Sequence, residues 1–444
     1  MKNWASAGLI AAFFLLVYFV IAPGGGTLSS ALALIFIWGV AALSLGLING
    51  QLGILSLGHH GFMLIGGYIT ALLMLPEAER APERTRLLGD WAREYLDLGF
   101  WLQSLGLPVL AESIYFKFAL ALLLAGLVSA LFGVLVGLPA LRLRGDYLAI
   151  VTLAFGEVMH LLPVGPEVAQ FTNGALGMKG IPPQAGTPVF ALLVLLLAIL
   201  VFTRIKFSSY GRALAAIRED EIAAQAMGVS LARHKVSAFV VSAFFAGVAG
   251  GMYASFLQSI DPQTFSFFLT FYLLVAVSVG GLGSVTGALL GTALVVLVRN
   301  YGGILEAPYP QASIVLTLGL VFLAWAFLPW LISRIRARPR SISTTGTGLL
   351  VLGGVLSLVG VLAPQLGYLT QTAQLFGMRR ILLALVLILI MLYRREGILA
   401  TREFSWAMLR RRKVEDSDRK QDAWLSNPEL FGKEEENARD KEGQ

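Results

Sequence analysis

Cysteine is absent from all 444 residues, which excludes disulfides, thiolate chemistry and cysteine-held iron–sulfur clusters. Charge is scarce. Only 14% of the residues are charged, against 57% hydrophobic, and the mean hydropathy is +0.75. A soluble core has no use for so much apolar sequence, so the class is a multi-pass membrane protein. Lipid cannot satisfy backbone polar groups, so only helices and closed barrels span it; long apolar runs without alternation select helices. The nucleotide loop G-x-x-x-x-G-K-[ST] is missing, as are H-E-x-x-H and G-x-S-x-G. The chain is therefore expected not to be an enzyme and to carry no cofactor. No metal site is expected either, since Glu157 and His160, one turn apart, are too few ligands for a closed one. An intramembrane enzyme built on His59, His60 and His160 would lack its partner groups.

What is present is an all-α pattern, a polytopic membrane helical bundle of about 10–12 spans with some broken or re-entrant. The candidate spans are 7–23, 28–49, 52–75, 116–139, 147–164, 188–205, 236–258, 268–283, 286–298, 312–332, 348–366 and 380–393. The first is expected to be an uncleaved helix rather than a signal peptide, since a convincing small-residue cleavage site is lacking. The run 268–298 is long for one helix and short for two, and its interior "VGGLGSVTGALLG" predicts a break or re-entrant turn. The net charge of +7 and pI of 9.6 do not imply nucleic acid, because the basic residues sit in short connections between spans. With the N-terminus inside and 268–298 read as a down-and-back pair, the inner connections hold 20 Lys and Arg and the outer ones 9. That bias places both termini in the cytoplasm.

The inner connection 206–235 contains "SSYGRALAAIREDEIAAQAMGVSLARHK", Ser208–Lys235. Ser208 or Ser209 can cap a first short helix. Leu214 and Ile217 form its apolar edge, flanked by Arg212 and Arg218. Glu219–Glu221 places three acids at the start of a second helix, where the dipole favours them, and Gly228 can end it. The pair is too polar to insert and too short to fold alone. Its mixed charges and small residues suit a protein groove better than a lipid surface.

Tyr210–Ala254 resembles the cytoplasmic coupling loop and following helix of permeases from branched-chain amino-acid-type ABC importers, a family that includes urea and amide importer permeases. "EIAAQAMG" is similar to the E-A-A-x-x-x-G loop of bacterial ABC permeases, with Ile222 inserted after the glutamate. Residues 43–73, 137–162 and 277–295 resemble the same family, in the same order. The resemblance implies a heterodimeric pore with a second related permease subunit, two cytoplasmic ABC ATPases and an extracytoplasmic solute-binding protein, in a bacterial cytoplasmic (inner) membrane. Mapped onto this chain, the docking residues would be Arg212, Ala213, Ile217, Arg218, Glu221, Ala224 and Gly228. The implied cargo is a branched-chain or other hydrophobic amino acid. Urea or a short-chain amide is the alternative within the family. An ion-coupled secondary transporter is the alternative outside it, and Glu157 is almost the only mid-span carboxylate to serve one.

The chain departs from the family in a long extracytoplasmic insert, 76–115, with seven acids and four arginines, and in an apparent extra helical pair at 312–366. Residues 378–400 resemble the usual final helix, with Arg395 where a proline is usual. The permease domain is thus read as 1–413 and the tail 414–444, with ten acids and five bases, as disordered. "NGQLGILSLGHH" and "GGLGSVTGALLG" interrupt apolar runs in the two halves. By analogy with glycine-broken transporter helices they place Gln51, Ser56, His59, Ser284 and Thr286 near the translocation path, with Glu157 at a family motif position. The other reading of those glycines is close helix packing. "FTNGALGMKGIPPQAGTP" (171–188) reads as an outer loop. The arginines of 334–340 and "WAMLRRRK" read as topological brakes and interfacial anchors. The orientation is checked directly: an impermeant reagent leaves a cysteine introduced within 208–235 unlabelled in intact cells and labels it once the membrane is opened.

Overall fold

The computed structural model describes residues 27–74, 98–106, 110, 112–138, 146–183, 188–301, 309–310 and 372–373. The expected first span, the extra pair 312–366, the final helix and the tail lie outside the described residues, as does most of the 76–115 insert. Two compact units are distinguished, Met1–Thr292 with Glu396–Gln444, and Ala293–Arg395. Within the second, Tyr309–Pro310 pairs antiparallel with Thr372–Ala373.

The first unit is helical. Helix α1, Thr27–Gly46, continues through a π turn, Leu47–Leu52, and α2 follows at His59–Met74. Then come α3 (Leu98–Ser104), α4 (Ile114–Gly137) and α5 (Asp146–Leu161). A 3-10 turn leads to α6 (Pro166–Thr172), and α7 spans Pro188–Phe207. Two short helices, α8 (Ser209–Glu219) and α9 (Glu221–Ala226), precede the long α10 (Leu231–Leu257). Helices α11 (Phe267–Gly280) and α12 (Val285–Tyr301) close the series, α12 crossing the boundary between the units. Five described helices are long and apolar enough to span a membrane, and three shorter apolar ones accompany them. The chain is an all-α polytopic membrane protein.

The boundaries show where tertiary packing overrode hydropathy. The break expected between spans at 50–51 lies at 53–58, because the π turn carries α1 past its polar Asn49 and Gln51. Helix α10 begins five residues before the expected 236, drawing Lys235 into its first turns. The 268–298 run is a tight hairpin. A Cβ on Gly280 would strike the carbonyl of Gly287, and one on Gly291 that of Ala276. At about 1.5 Å rise per residue, α11 covers roughly 21 Å, short of a ~30 Å hydrocarbon core. The segment expected as a plain loop at 171–188 carries the end of α6, and Met178–Lys179 (β1) pairs antiparallel with Ser259–Ile260 (β2) just beyond α10.

Helix α10 is the central column. It packs on α4, α2 and α1 through "FAGVAGGMYA", where small side chains let backbones touch. A Cβ on Gly66 of α2 would hit the Gly247 carbonyl of α10, and one on Gly250 would hit the carbonyl of Met63. Lipid tails are as apolar as the helices, so association rests on close packing and interhelical hydrogen bonds. Ser242 Oγ donates to the Ser44 carbonyl at 2.7 Å, and Ser129 Oγ to that of Phe62 at 3.2 Å. Trp38, fully buried in α1, stacks on Tyr272 of α11 and meets Tyr253 of α10 edge-on, both at 6.1 Å between ring centroids. The same substitution therefore has opposite outcomes at two glycines. Gly250→Ala, driven into the α2 backbone, lowers stability by about 1–3 kcal/mol. Gly46→Ala, whose Cβ would meet Val277 at 3.9 Å, is neutral or stabilising by up to about 1 kcal/mol. Thermal unfolding of the detergent-solubilised protein reads both.

Candidate functional site

The short helices α8 and α9 form a bump whose fold is fixed locally. Ser208, in extended conformation, accepts the Gly211 N–H on its Oγ at 3.2 Å and so caps α8. Asp220, also extended, accepts the N–H groups of Ile222 and Ala223 on Oδ1 at 2.8 and 3.0 Å and caps α9. Sequence reasoning placed acids there for the helix dipole; the cap itself is the stronger effect. Gly228, at φ 84°, turns the chain out of α9 with its N–H on the Gln225 carbonyl. A Cβ there would meet nothing within 4 Å, so the glycine serves backbone conformation alone.

The residues expected to dock a partner divide into two groups. Ile217 and Ala224 are buried at 2% and 4% exposure and, with Leu214, pin the bump to the bundle. Arg218 turns inward, its Nη1 donating to the Gly50 carbonyl at 2.8 Å. Glu221 grips Lys235 of α10 at 2.7 Å, and that lysine is 2% exposed. Arg212 and Gly228 face outward, and Ala213 is half-buried. Two side chains absent from the expected set are the most prominent, Ile222 at 69% and Met227 at 85% exposure. Tyr210 locks the other flank, stacked on His234 with its hydroxyl 2.7 Å from Ser237 Oγ. Burial pushes the Tyr210 pKa up, so the phenol stays neutral.

The expected path residues are mostly enclosed in this conformation. Ser56, His59, Ser284 and Thr286 have 0–3% exposure. His59 is an interhelical tie. The Ser44 hydroxyl donates to the Ala41 carbonyl at 2.7 Å and therefore accepts from His59 Nε2 at 3.0 Å. Ser284 Oγ accepts the Gly287 N–H at 3.0 Å and caps the start of α12. Gln51 is half-buried, and Asn49, not foreseen, accepts the Ser56 N–H at 3.0 Å and shapes the break after the π turn. Glu157 differs from these, with 45% of its side chain exposed on α5, a helix with 28% of its span buried. Behind it lies His60. The Thr270 hydroxyl accepts the His60 main-chain N–H at 2.8 Å and shares a hydrogen bond with Nδ1 at 3.0 Å. The ring's Nε2 lies 3.7 Å from the Glu157 carboxylate. A half-exposed carboxylate inside an apolar span is costly against lipid and favoured on a cavity or an interface. Among the described residues, no three His, Asp or Glu side chains are grouped to hold a metal ion.

Residues 27–326 match the sequence model described as "Branched-chain amino acid transport system / permease component". The chain belongs to that permease family. It is 32% identical over 354 residues to the high-affinity branched-chain amino acid transport system permease protein LivM of Escherichia coli K12, covering 72% of this chain and 73% of that one. It is 32% identical over 323 residues to LivM of Salmonella typhimurium, covering 65% and 66%. The probable branched-chain amino acid transport permease protein LivH of Methanocaldococcus jannaschii is 30% identical over 215 residues, 47% of this chain and 55% of that one. No solved structure matches.

In this permease the ion pair between α9 and α10 is tested by asymmetry. Removing Glu221 strands a buried ammonium, so Glu221→Leu costs about 3 kcal/mol. Lys235→Met leaves only a part-exposed carboxylate and costs less, and adding it to Glu221→Leu restores most of the loss. Thermal unfolding of the two single variants and the double variant reads the difference.

Proposed function

We propose that the chain is the membrane-spanning subunit of an ATP-driven ABC importer for branched-chain and other hydrophobic amino acids. It would form half of the pore with a second, related permease. Its similarity to relatives named both LivM and LivH supports such a pair. A solute-binding protein delivers cargo from outside and two cytoplasmic ATPases drive the cycle. The observation that carries the ATPase contact is the pair of large apolar side chains, Ile222 and Met227, held out on a bump whose other large aliphatic helix side chains, Leu214 and Ile217, are buried. Two short helices with this polarity do not enter lipid. A protruding apolar tip on a bump that also exposes Arg212, Glu219 and Gln225 fits a groove on a soluble protein.

The mechanism follows from the way the bump is built. Its buried edge and the Glu221–Lys235 pair make α8 and α9 move with the bundle as one body. ATP binding closes the ATPase pair, displaces the bump and favours one of two pore states. The ATPase can do so only by binding those states with different affinities. Gln51 and Glu157, partly open among the expected path residues, are where solute would pass, with α5 turned toward the second permease or the cavity between them.

In the test, Ile222→Asp with Met227→Asp lowers ATP-dependent uptake of leucine in proteoliposomes at least about tenfold and removes the ATPase from the purified complex, while membrane insertion is unchanged. Full uptake by the double variant refutes the docking surface. Uptake of urea or acetamide in place of leucine moves the cargo to the family's other branch, and uptake by this chain alone on a proton or sodium gradient refutes the ATP-driven reading.

A further inference from the structure

The two glycine-broken segments and the α8 bump converge on one junction. Gly50 lies in the π turn that ends α1, and Gly283 in the turn between α11 and α12. Their backbones are in direct contact, since a Cβ on Gly50 would collide with the amide nitrogen and Cα of Gly283. Arg218, in the last turn of α8, donates Nη1–H to the Gly50 carbonyl at 2.8 Å. The same nitrogen is 3.6 Å from where a Cβ on Gly283 would stand. Lys206, at the end of α7 and just before the bump, donates its ammonium to the Gly283 carbonyl at 2.6 Å. Gly283 has φ 89°, a conformation that strains other residues and presents its carbonyl to the lysine.

We propose that Arg218 and Lys206 are positioning residues that carry displacement of the bump into the two glycine-broken segments. They would thereby couple nucleotide-driven motion to opening of the path. The inference rests on the importer reading above and adds the element that transmits the motion. Three features support transmission over simple bracing. Both cations grip main-chain carbonyls, so the pull is delivered to the backbone of the segment, not to a side chain that can swing aside. The gripped positions are a π turn and a glycine turn, neither locked into a regular helix ladder. Arg218 keeps 35% of its side-chain surface exposed, so its bond is not a by-product of burial. A second route runs in parallel, from Glu221 on α9 to Lys235 on the central column α10. The bump thus addresses the bundle core through an ion pair and the glycine breaks through Arg218, beside Lys206 at the end of the adjoining α7.

Arginine and lysine are not equivalent here. The guanidinium fork lies beside both glycines, whereas a lysine at 218 offers a compact ammonium on a shorter reach.

The experiment uses the full importer, this chain with its partner permease, ATPases and binding protein, reconstituted in liposomes. Leucine uptake and ATP hydrolysis are measured together, and wild type first establishes ATP-dependent uptake and ATPase co-purification. Failure at that stage refutes the importer reading and, with it, this inference's premise; success isolates the junction. Lys206→Met retains ATPase co-purification, and in both Lys206→Met and Arg218→Met the leucine moved per ATP falls about tenfold. Arg218→Lys recovers part of that ratio. If Arg218→Met does not assemble, Lys206→Met and Arg218→Lys are read alone. An unchanged ratio in Lys206→Met overturns the proposal. So does a proportional loss of uptake, hydrolysis and assembly, because a merely structural brace predicts that pattern.

Discussion

Close backbone approach between helices is the constraint on which the rest of the permease depends. In a membrane, moving an apolar side chain from lipid to protein gains little, so the bundle needs another source of cohesion. The glycines of α10 supply it by removing side chains where α2 and α4 cross. Dispersion contacts and hydrogen bonds from serine and histidine side chains then act between the helices. Ser242 on Ser44, Ser129 on Phe62 and His59 on Ser44 are all of this kind.

The same device has a second use where the helices break. Gly50 against Gly283 and Gly280 against Gly287 are also close approaches, yet they sit at a π turn and in a hairpin shorter than a full crossing. Packing and path are therefore not competing explanations for the glycine-rich runs. Within α10 the glycines hold a rigid column together; at the breaks they join two segments whose carbonyls are held by Arg218 and Lys206. A rigid column and an adjustable seam together would serve the two pore states of the importer we propose.

Charge is sparse, and among the described residues two buried basic side chains face carboxylates. Lys235 is held by Glu221, and His60 stands behind Glu157 with Thr270 fixing its ring. The docking set implied by family likeness mixes residues of two kinds. Ile217, Arg218, Glu221 and Ala224 face the bundle, while Arg212 and Gly228 face outward, and the most exposed large side chains, Ile222 and Met227, lie outside that set. A motif read along a line cannot separate them, because one face of an 11-residue helix and one face of a 6-residue helix are oriented only when both are docked.

Composition and hydropathy alone determined the class, the helical solution and most of the described spans, since burying about 20 apolar residues per crossing leaves little freedom. Local chemistry determined where the two short helices begin and end, because Ser208, Asp220 and Gly228 act within a few residues of themselves. What only the tertiary structure decided lies at long sequence separation. Arg218 meets Gly50 across 168 residues, Lys206 meets Gly283 across 77 and His60 meets Thr270 across 210. Lys206 and Thr270 carry no local signature, and the enclosure of His59 and Ser56 by their neighbours cannot be read from the residues around them in the chain. Periodicity reports which face of a helix is apolar; which helix comes to lie against that face is settled by packing, where glycine spacing and a few hydrogen bonds choose among many apolar surfaces that are otherwise alike.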